Sequence, residues 1–209
     1  GSCTGVQEPH TTSEGYLIPS NGLAQQALND GLARFNEACV VPDVLERGET
    51  FPVTIVEPDT LQPPVRYQQL VALQREGLLT NQTDTTSAGL VRRTFALTEK
   101  GQQAQSEIFG FRGWRSGVCY ATPRVTRIDS IAAVPDRSPR PIAEVRFHHA
   151  LQNVQPWART PRVQRLFPTI RPILDDAGTA TPARRTLIET EDGWTDSRLV
   201  GRPAPKPSE

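Results

Sequence analysis

Methionine is absent from all 209 residues, and lysine nearly so: among 23 basic residues only Lys100 and Lys206 are not arginine. The missing methionine leads us to expect that the initiator, and whatever preceded Gly1, is not part of this chain. Cysteine and histidine number three each and show no paired spacing of the zinc type, so no metal is expected. No apolar run approaches the ~20 residues of a membrane-spanning helix. Phosphate loops, dinucleotide fingerprints and HExxH helices are also lacking. Ser116 sits in Gly-Trp-Arg-Ser-Gly, which lacks the spacing of a nucleophile elbow. These absences remove the commonest motif-bearing enzyme classes, and we expect no catalytic residue and no cofactor.

Proline is plentiful at 19, and hydrophobic content is modest at 36%. Such a chain fits a compact centre with extended, proline-punctuated connections better than a dense helical bundle. Its length is enough for one substantial core or two small ones. Formal charge cancels to zero overall but is uneven along the chain. Residues 1–65 hold nine acids against Arg34 and Arg47, whereas residues 112–171 hold eleven arginines against Asp129, Asp136 and Glu144. Either the acidic part folds onto the basic part, or a basic face is offered to a partner.

Gly1-Ser2 reads as a cloning remnant, which makes Cys3 the first native residue. A chain that starts Cys-Thr-Gly and runs on through a polar leader resembles a bacterial lipoprotein cut before its lipidated cysteine. That resemblance implies lipid on Cys3 as the only membrane attachment, and a periplasmic location. Cys39 and Cys119 then remain as a pair that an oxidising compartment would join; the alternative is two buried free thiols.

Residues 1–20 read as a flexible tether. Ser20-Asn21-Gly22 caps a helix whose apolar positions are Leu23, Ala27, Leu28, Leu32 and Phe35, weakened by Gly31 and ended by Pro42. Thr50–Val56 is a short β-branched strand, and Pro52 places it at a sheet edge. Val65–Gly77 is an amphipathic helix with Leu70, Leu73 and Leu78, together with Val65 and Val71, on its apolar side and Arg66, Gln69 and Arg75 facing away. Strands over Leu78–Thr80 and Leu90–Thr98 follow, joined by a polar tip, and Thr98 caps a further helix. The stretch from Tyr67 to Gly101 resembles the second half of a winged-helix domain, as in the MarR- and PadR-like bacterial regulators. The resemblance covers about 35 residues and implies a helix-plus-wing shape. A DNA reader would need another helix where the proline-interrupted strand stands, and a denser basic surface than Arg66, Arg75, Arg92 and Arg93 supply. Nucleic acid is therefore not the expected partner.

Beyond Phe111, Trp114–Ile131 reads as one long strand bent near Pro123, and Ile142–Leu151 as a strand with Val145, Phe147 and His149 on one side. Adjacent strand residues point to opposite faces, so His148 and His149 cannot share a site. Thr160-Pro161 starts a helix that breaks at Pro168 and restarts. Ala183–Thr190 and Trp194–Val200 form a last hairpin. Arg112, Trp114, Arg115, Arg124, Arg127, Arg146, Trp157, Arg159, Arg162 and Arg165 are the candidate partner-binding residues, because arginine with tryptophan grips carboxylates or phosphates while covering apolar surface.

The reading is an α+β protein: an N-terminal helix and winged-helix-like half packed with a C-terminal antiparallel sheet and one helix. Its parts are a tether at 1–20, a helical winged-helix-like part at 21–110, an arginine-rich sheet plus helix at 111–200, and a tail at 201–209. The expected function is that of a non-enzymatic periplasmic lipoprotein in contact with another envelope protein or an acidic protein domain, as an assembly component or an inhibitor or immunity-type partner. The alternatives are a cytosolic winged-helix DNA-binding regulator and an envelope enzyme acting on an anionic polymer.

Overall fold

The computed structural model describes residues 9–46, 48–110, 113–135 and 138–202. Cys3 and Arg112 lie outside them. The chain is α+β, with antiparallel sheets, and it divides into two compact units that each draw on separated segments.

Unit 1 takes the chain up to Arg34, Pro123–Gln152 and Gly178–Pro203. Its helix α1 (Asn21–Arg34) begins as expected, with the Ser20 hydroxyl accepting from the Leu23 amide at 3.2 Å. Four strands, β9 (Thr122–Ala133), β10 (Ile142–Gln152), β11 (Thr181–Thr190) and β12 (Gly193–Asp196), form a sheet in the order β12-β11-β10-β9. Alternation decides the face: Ala143, Val145 and Phe147 of β10 are wholly buried. They meet Ala24, Ala27, Leu28 and Leu32 of α1, with Leu187 and Trp194 closing the core. Asn29 of α1 accepts from the Val125 amide at 2.9 Å, which fixes the start of β9 against the helix. Within the expected tether, β1 (His10–Thr11) and β2 (Leu17–Ile18) pair as a small hairpin, and Leu17 and Ile18 pack against this core.

Unit 2 holds Phe35–Thr122 and Asn153–Ala177. The helix α2 (Val65–Arg75) precedes a hairpin of β5 (Leu79–Thr85) and β6 (Val91–Leu97); β4 (Val53–Val56) adds to β6, giving the order β4-β6-β5. β4 is thus an edge strand, as Pro52 suggested. The hairpin reaches further than expected because Asn81–Thr85 continue in register with Phe95–Val91. Thr98 caps α3 (Glu99–Ala104), accepting from the Gly101 amide at 3.0 Å. A second sheet, β3-β8-β7, joins β3 (Cys39–Val40), β7 (Gln105–Gly110) and β8 (Gly113–Cys119). Cys39 and Cys119 face each other across β3 and β8 with their Cα atoms 3.8 Å apart and are disulfide-bonded. The chain then makes η-turn Pro156–Arg159, α4 (Pro161–Leu166) and α5 (Ile170–Asp175), so the helical break at Pro168 is real.

Three expectations need correction. Trp114–Ile131 is not one strand: β8 and β9 belong to different sheets. The division falls at Tyr120, whose amide donates to the Ala38 carbonyl at 2.8 Å and whose carbonyl accepts from the Gln155 amide at 2.7 Å. Those bonds commit it to unit 2. Gln69 does not face solvent; it is buried, accepting from the Asp43 amide at 2.8 Å and donating to the Leu166 carbonyl at 3.2 Å. A buried amide with both ends bonded is a cross-link, not an exposed contact residue. Val65, placed on the apolar side of α2, is exposed, because it stands in the first turn, where the chain enters from Pro63-Pro64. Gln105–Gly110 is in addition a strand that the sequence reading passed over.

Each unit balances its own charge, with ten acidic and ten basic residues in unit 1 and thirteen of each in unit 2. The acid-rich start and the arginine-rich middle of the chain are shared out between the two.

Candidate partner-binding groove

In unit 2 a groove of about 470 Å³ runs between the loop at Leu61–Pro63, helix α2 and helix α4. Residues 67, 71 and 75 recur every four positions on α2, so Tyr67, Val71 and Arg75 form one stripe. On α4 Arg162 and Arg165, three apart and so on one face, belong to the same lining. Tyr67 is backed by Phe95, ring edge to ring face, with centroids 6.3 Å apart. Gln68 donates to the Pro63 carbonyl at 2.7 Å and so pins the loop to the helix. Gln69 ties α2 to α4 from the buried side, so both walls are held from within. Leu61 stands fully in solvent at the rim.

No carboxylate lies among the described lining residues, and neither does any histidine, cysteine or serine. Three arginines beside Tyr67, Val71 and Leu166 have the chemistry to bind carboxylates or phosphates in forked fashion while covering an attached apolar group.

The candidate arginines divide between the units. Arg159, Arg162 and Arg165 lie on or beside α4, and the last two reach the groove. Arg115 is half-buried and donates to the Leu45 carbonyl. Trp114 stacks edge-on against Phe109 at 5.3 Å. Trp157 is a core residue, 2% exposed and edge-on to Tyr120 at 5.9 Å, not a surface contact. In unit 1, Arg127 pairs with Asp129 at 2.9 Å, and Arg146 approaches Glu144 at 3.7 Å beside Arg184. Arg124 lies with Gln25, Gln26, Asn29 and Asp30 around a shallow depression on α1. Arg75, Tyr67 and Val71 were missed as groove residues, although their four-residue spacing was readable.

His148 donates from Nδ1 to Asp129 at 2.8 Å, while its Nε2 lies 3.2 Å from Arg127. A guanidinium only donates, so Nε2 must accept and its lone pair is occupied. Arg127 first, and His148 after it, hold the Asp129 carboxyl below its usual range. His149 packs on Phe147 and is half-buried; burial, then Arg185 and His148, push its pKa down. The unit 1 cavity of about 620 Å³ is larger than the groove, but its lone carboxylate, Asp129, is already held by these partners. Ser116 is buried and spends its hydroxyl on Thr50 and Gln105 at 3.0 and 2.9 Å. No group of three or more metal-ligating side chains occurs among the described residues, and no described helix is long and apolar enough to cross a membrane.

Fold and groove together define a disulfide-bonded α+β protein with a basic, apolar-floored groove. No protein-family model, curated protein or solved structure matches the chain.

Proposed function

We propose that the chain is a non-enzymatic envelope protein, lipid-anchored through Cys3 in the periplasm, that works by gripping an acidic segment of a protein partner in the groove between α2 and α4. One observation carries the reading: Arg75, Arg162 and Arg165 line an apolar-floored groove that contains no carboxylate to neutralise them. The Cys39–Cys119 bond supports the location, because such bonds persist in oxidising compartments.

The groove half of the proposal is tested with a fluorescent peptide alternating glutamate with leucine or phenylalanine. Binding by anisotropy should weaken at least tenfold in the Arg162→Glu, Arg165→Glu double variant, and should weaken with salt. Equal affinity in wild type and variant would sink the groove as the contact site. Fractionation of the native full-length protein tests the location, and a cytosolic protein with unmodified Cys3 overturns it.

A winged-helix DNA-binding regulator is the second reading, favoured by the helix and hairpin of α2, β5 and β6. The wing weighs against it. Arg92 is paired with Asp84 at 2.6 Å and Arg93 with Glu57 at 2.8 Å, which spends its two cations on carboxylates rather than phosphates.

A further inference from the structure

Strand β9 ends the unit 1 sheet: β10 pairs with one of its edges, and no described strand pairs with the other. An unpaired edge of 12 residues is a row of backbone N–H and C=O groups that invites another strand. Arg124, Thr126, Arg127, Asp129, Ser130 and Ala132 are exposed along it. Four consecutive residues, Ile128, Asp129, Ser130 and Ile131, border the cavity of about 620 Å³ that His10 and Ile18 of the β1–β2 hairpin also line. Side chains of a strand alternate between its faces, so an unbroken run of four meets one cavity along the strand's edge. Toward the other end, the Val125 amide donates to the Asn29 side chain at 2.9 Å and not to a strand. The free stretch of the edge begins at Thr126.

Outward from Ile128 the side-chain chemistry is the same in both directions. Arg127 mirrors Asp129 as its opposite charge, Thr126 mirrors Ser130 as a hydroxyl, and Val125 mirrors Ile131 as a β-branched apolar residue. Two copies of this strand, paired antiparallel about a two-fold axis at Ile128, set each residue opposite its mirror image. Arg127 of each copy then faces Asp129 of the other, and Ile128 meets Ile128. Moving the centre by one residue sets Arg127 against Arg127 or Asp129 against Asp129, and like charges directly opposite are destabilising. Charge therefore selects one register. Both side chains keep capacity for it: Arg127 spends two of its five N–H donors, on Asp129 and His148, and each Asp129 oxygen accepts one bond where it can take about two. Ile128 and Ile131 pack partly on the α1 core, so pairing at this edge carries the apolar face from one copy to the next.

We infer that β9 is a dimerisation edge, at which a second copy of this chain adds its own β9 antiparallel about Ile128. The two four-stranded sheets then run on as one, held by main-chain bonds over Thr126–Ser130 and by two crossed Arg127–Asp129 pairs. So short a contact makes a weak, reversible dimer, with the charge pairs deciding register more than strength. The edge belongs to unit 1 and does not depend on how the groove of unit 2 is used.

The test is sedimentation equilibrium of the full, disulfide-bonded chain over a wide range of concentrations, in which wild type should show monomer and dimer in exchange. Arg127→Asp sets acids opposite acids at both crossed pairs, and Asp129→Arg sets arginines opposite arginines. Each variant alone should therefore dimerise at least tenfold more weakly. Mixed in equal amounts, the two variants restore opposite charges at both pairs, and the mixture should dimerise about as tightly as wild type. Both positions are exposed, and melting curves verify the fold of each variant. The Arg162→Glu, Arg165→Glu protein, altered in the groove alone, should dimerise as wild type does. The inference is overturned by a wild type that stays monomeric at every concentration, by single variants that dimerise as tightly as wild type, by a mixture as weak as its parts, or by loss of the dimer in the groove variant.

Discussion

At Gly31 a hydrogen stands where any other residue would put a carbon, and that carbon would run into the side chain of Asp196, whose Cβ lies 2.9 Å from the position. Asp196 cannot yield. It is wholly buried, and its carboxylate accepts from the Arg198 side chain at 2.8 Å and from the Arg198 amide at 2.9 Å. Gly31→Ala should therefore destabilise unit 1 by about 1–3 kcal/mol, although alanine is the better helix former by about 1 kcal/mol. Thermal melts of the two proteins decide it. From the sequence Gly31 was only a weak point in a helix; its use for close approach depends on a strand 165 residues away in the chain. His149 gives a pH signature at the same scale. Its folded pKa is held below the ordinary value of 6.5, so the unfolded chain takes up a proton that the folded chain refuses. Stability is then complete above about pH 6.5 and falls as pH drops through and below it. Replacing His149 by Gln should flatten the fall in melting temperature between about pH 7 and pH 5. Asp129, whose carboxyl is held low, contributes above its ordinary 3.8 and loses that contribution only in stronger acid, which separates the two effects.

Among the elements, the disulfide closes a long loop, its cysteines 80 positions apart in the chain. Constraining the unfolded chain over such a loop should stabilise unit 2 by about 2–5 kcal/mol. A Cys39→Ala, Cys119→Ala protein, and wild type under reductant, should both unfold at lower urea midpoints, with unfolding free energies reduced by about that amount. An unchanged midpoint in both would remove the bond from the account of stability. Most elements were legible where the pattern was local. The α1 cap, the period of β10, the Gly-free run of α2 and the Thr98 cap each depend on a few neighbouring residues. Legibility failed where a partner outside the segment decided. Gln69 reads as an outward polar residue until Asp43 and Leu166 are seen to take both ends of its amide. The strand through Tyr120 looks continuous until Ala38 and Gln155 claim that residue's backbone. In the groove, the stripe at 67, 71 and 75 and the pair at 162 and 165 were each visible alone; their meeting was not.

For the whole molecule, the chain path sets a testable dependence. Unit 1 completes its sheet only with β11 and β12, which bring Leu187 and Trp194 into the α1 core. A chain ending at residue 177 would expose the inner face of β10 and should lose the cooperative unfolding of unit 1. Limited proteolysis would then cut within residues 123–152 while the disulfide-bonded unit 2 persists. Retention of both units in that truncation would contradict the discontinuous core. Charge belongs to this scale as well. The polarity along the chain is large, but each unit is neutral, so the basic character of the groove lining is local and comes from Arg75, Arg162 and Arg165. By itself the sequence determined the α+β class, the edge position of β4 and the Ser20 and Thr98 caps, because spacing, capping and proline geometry act over a few residues, whereas it left the bonding of Cys39 to Cys119 open. Only the tertiary structure decided which arginines stay unneutralised and which polar groups lie buried without partners, because those depend on side chains brought together from distant parts of the chain.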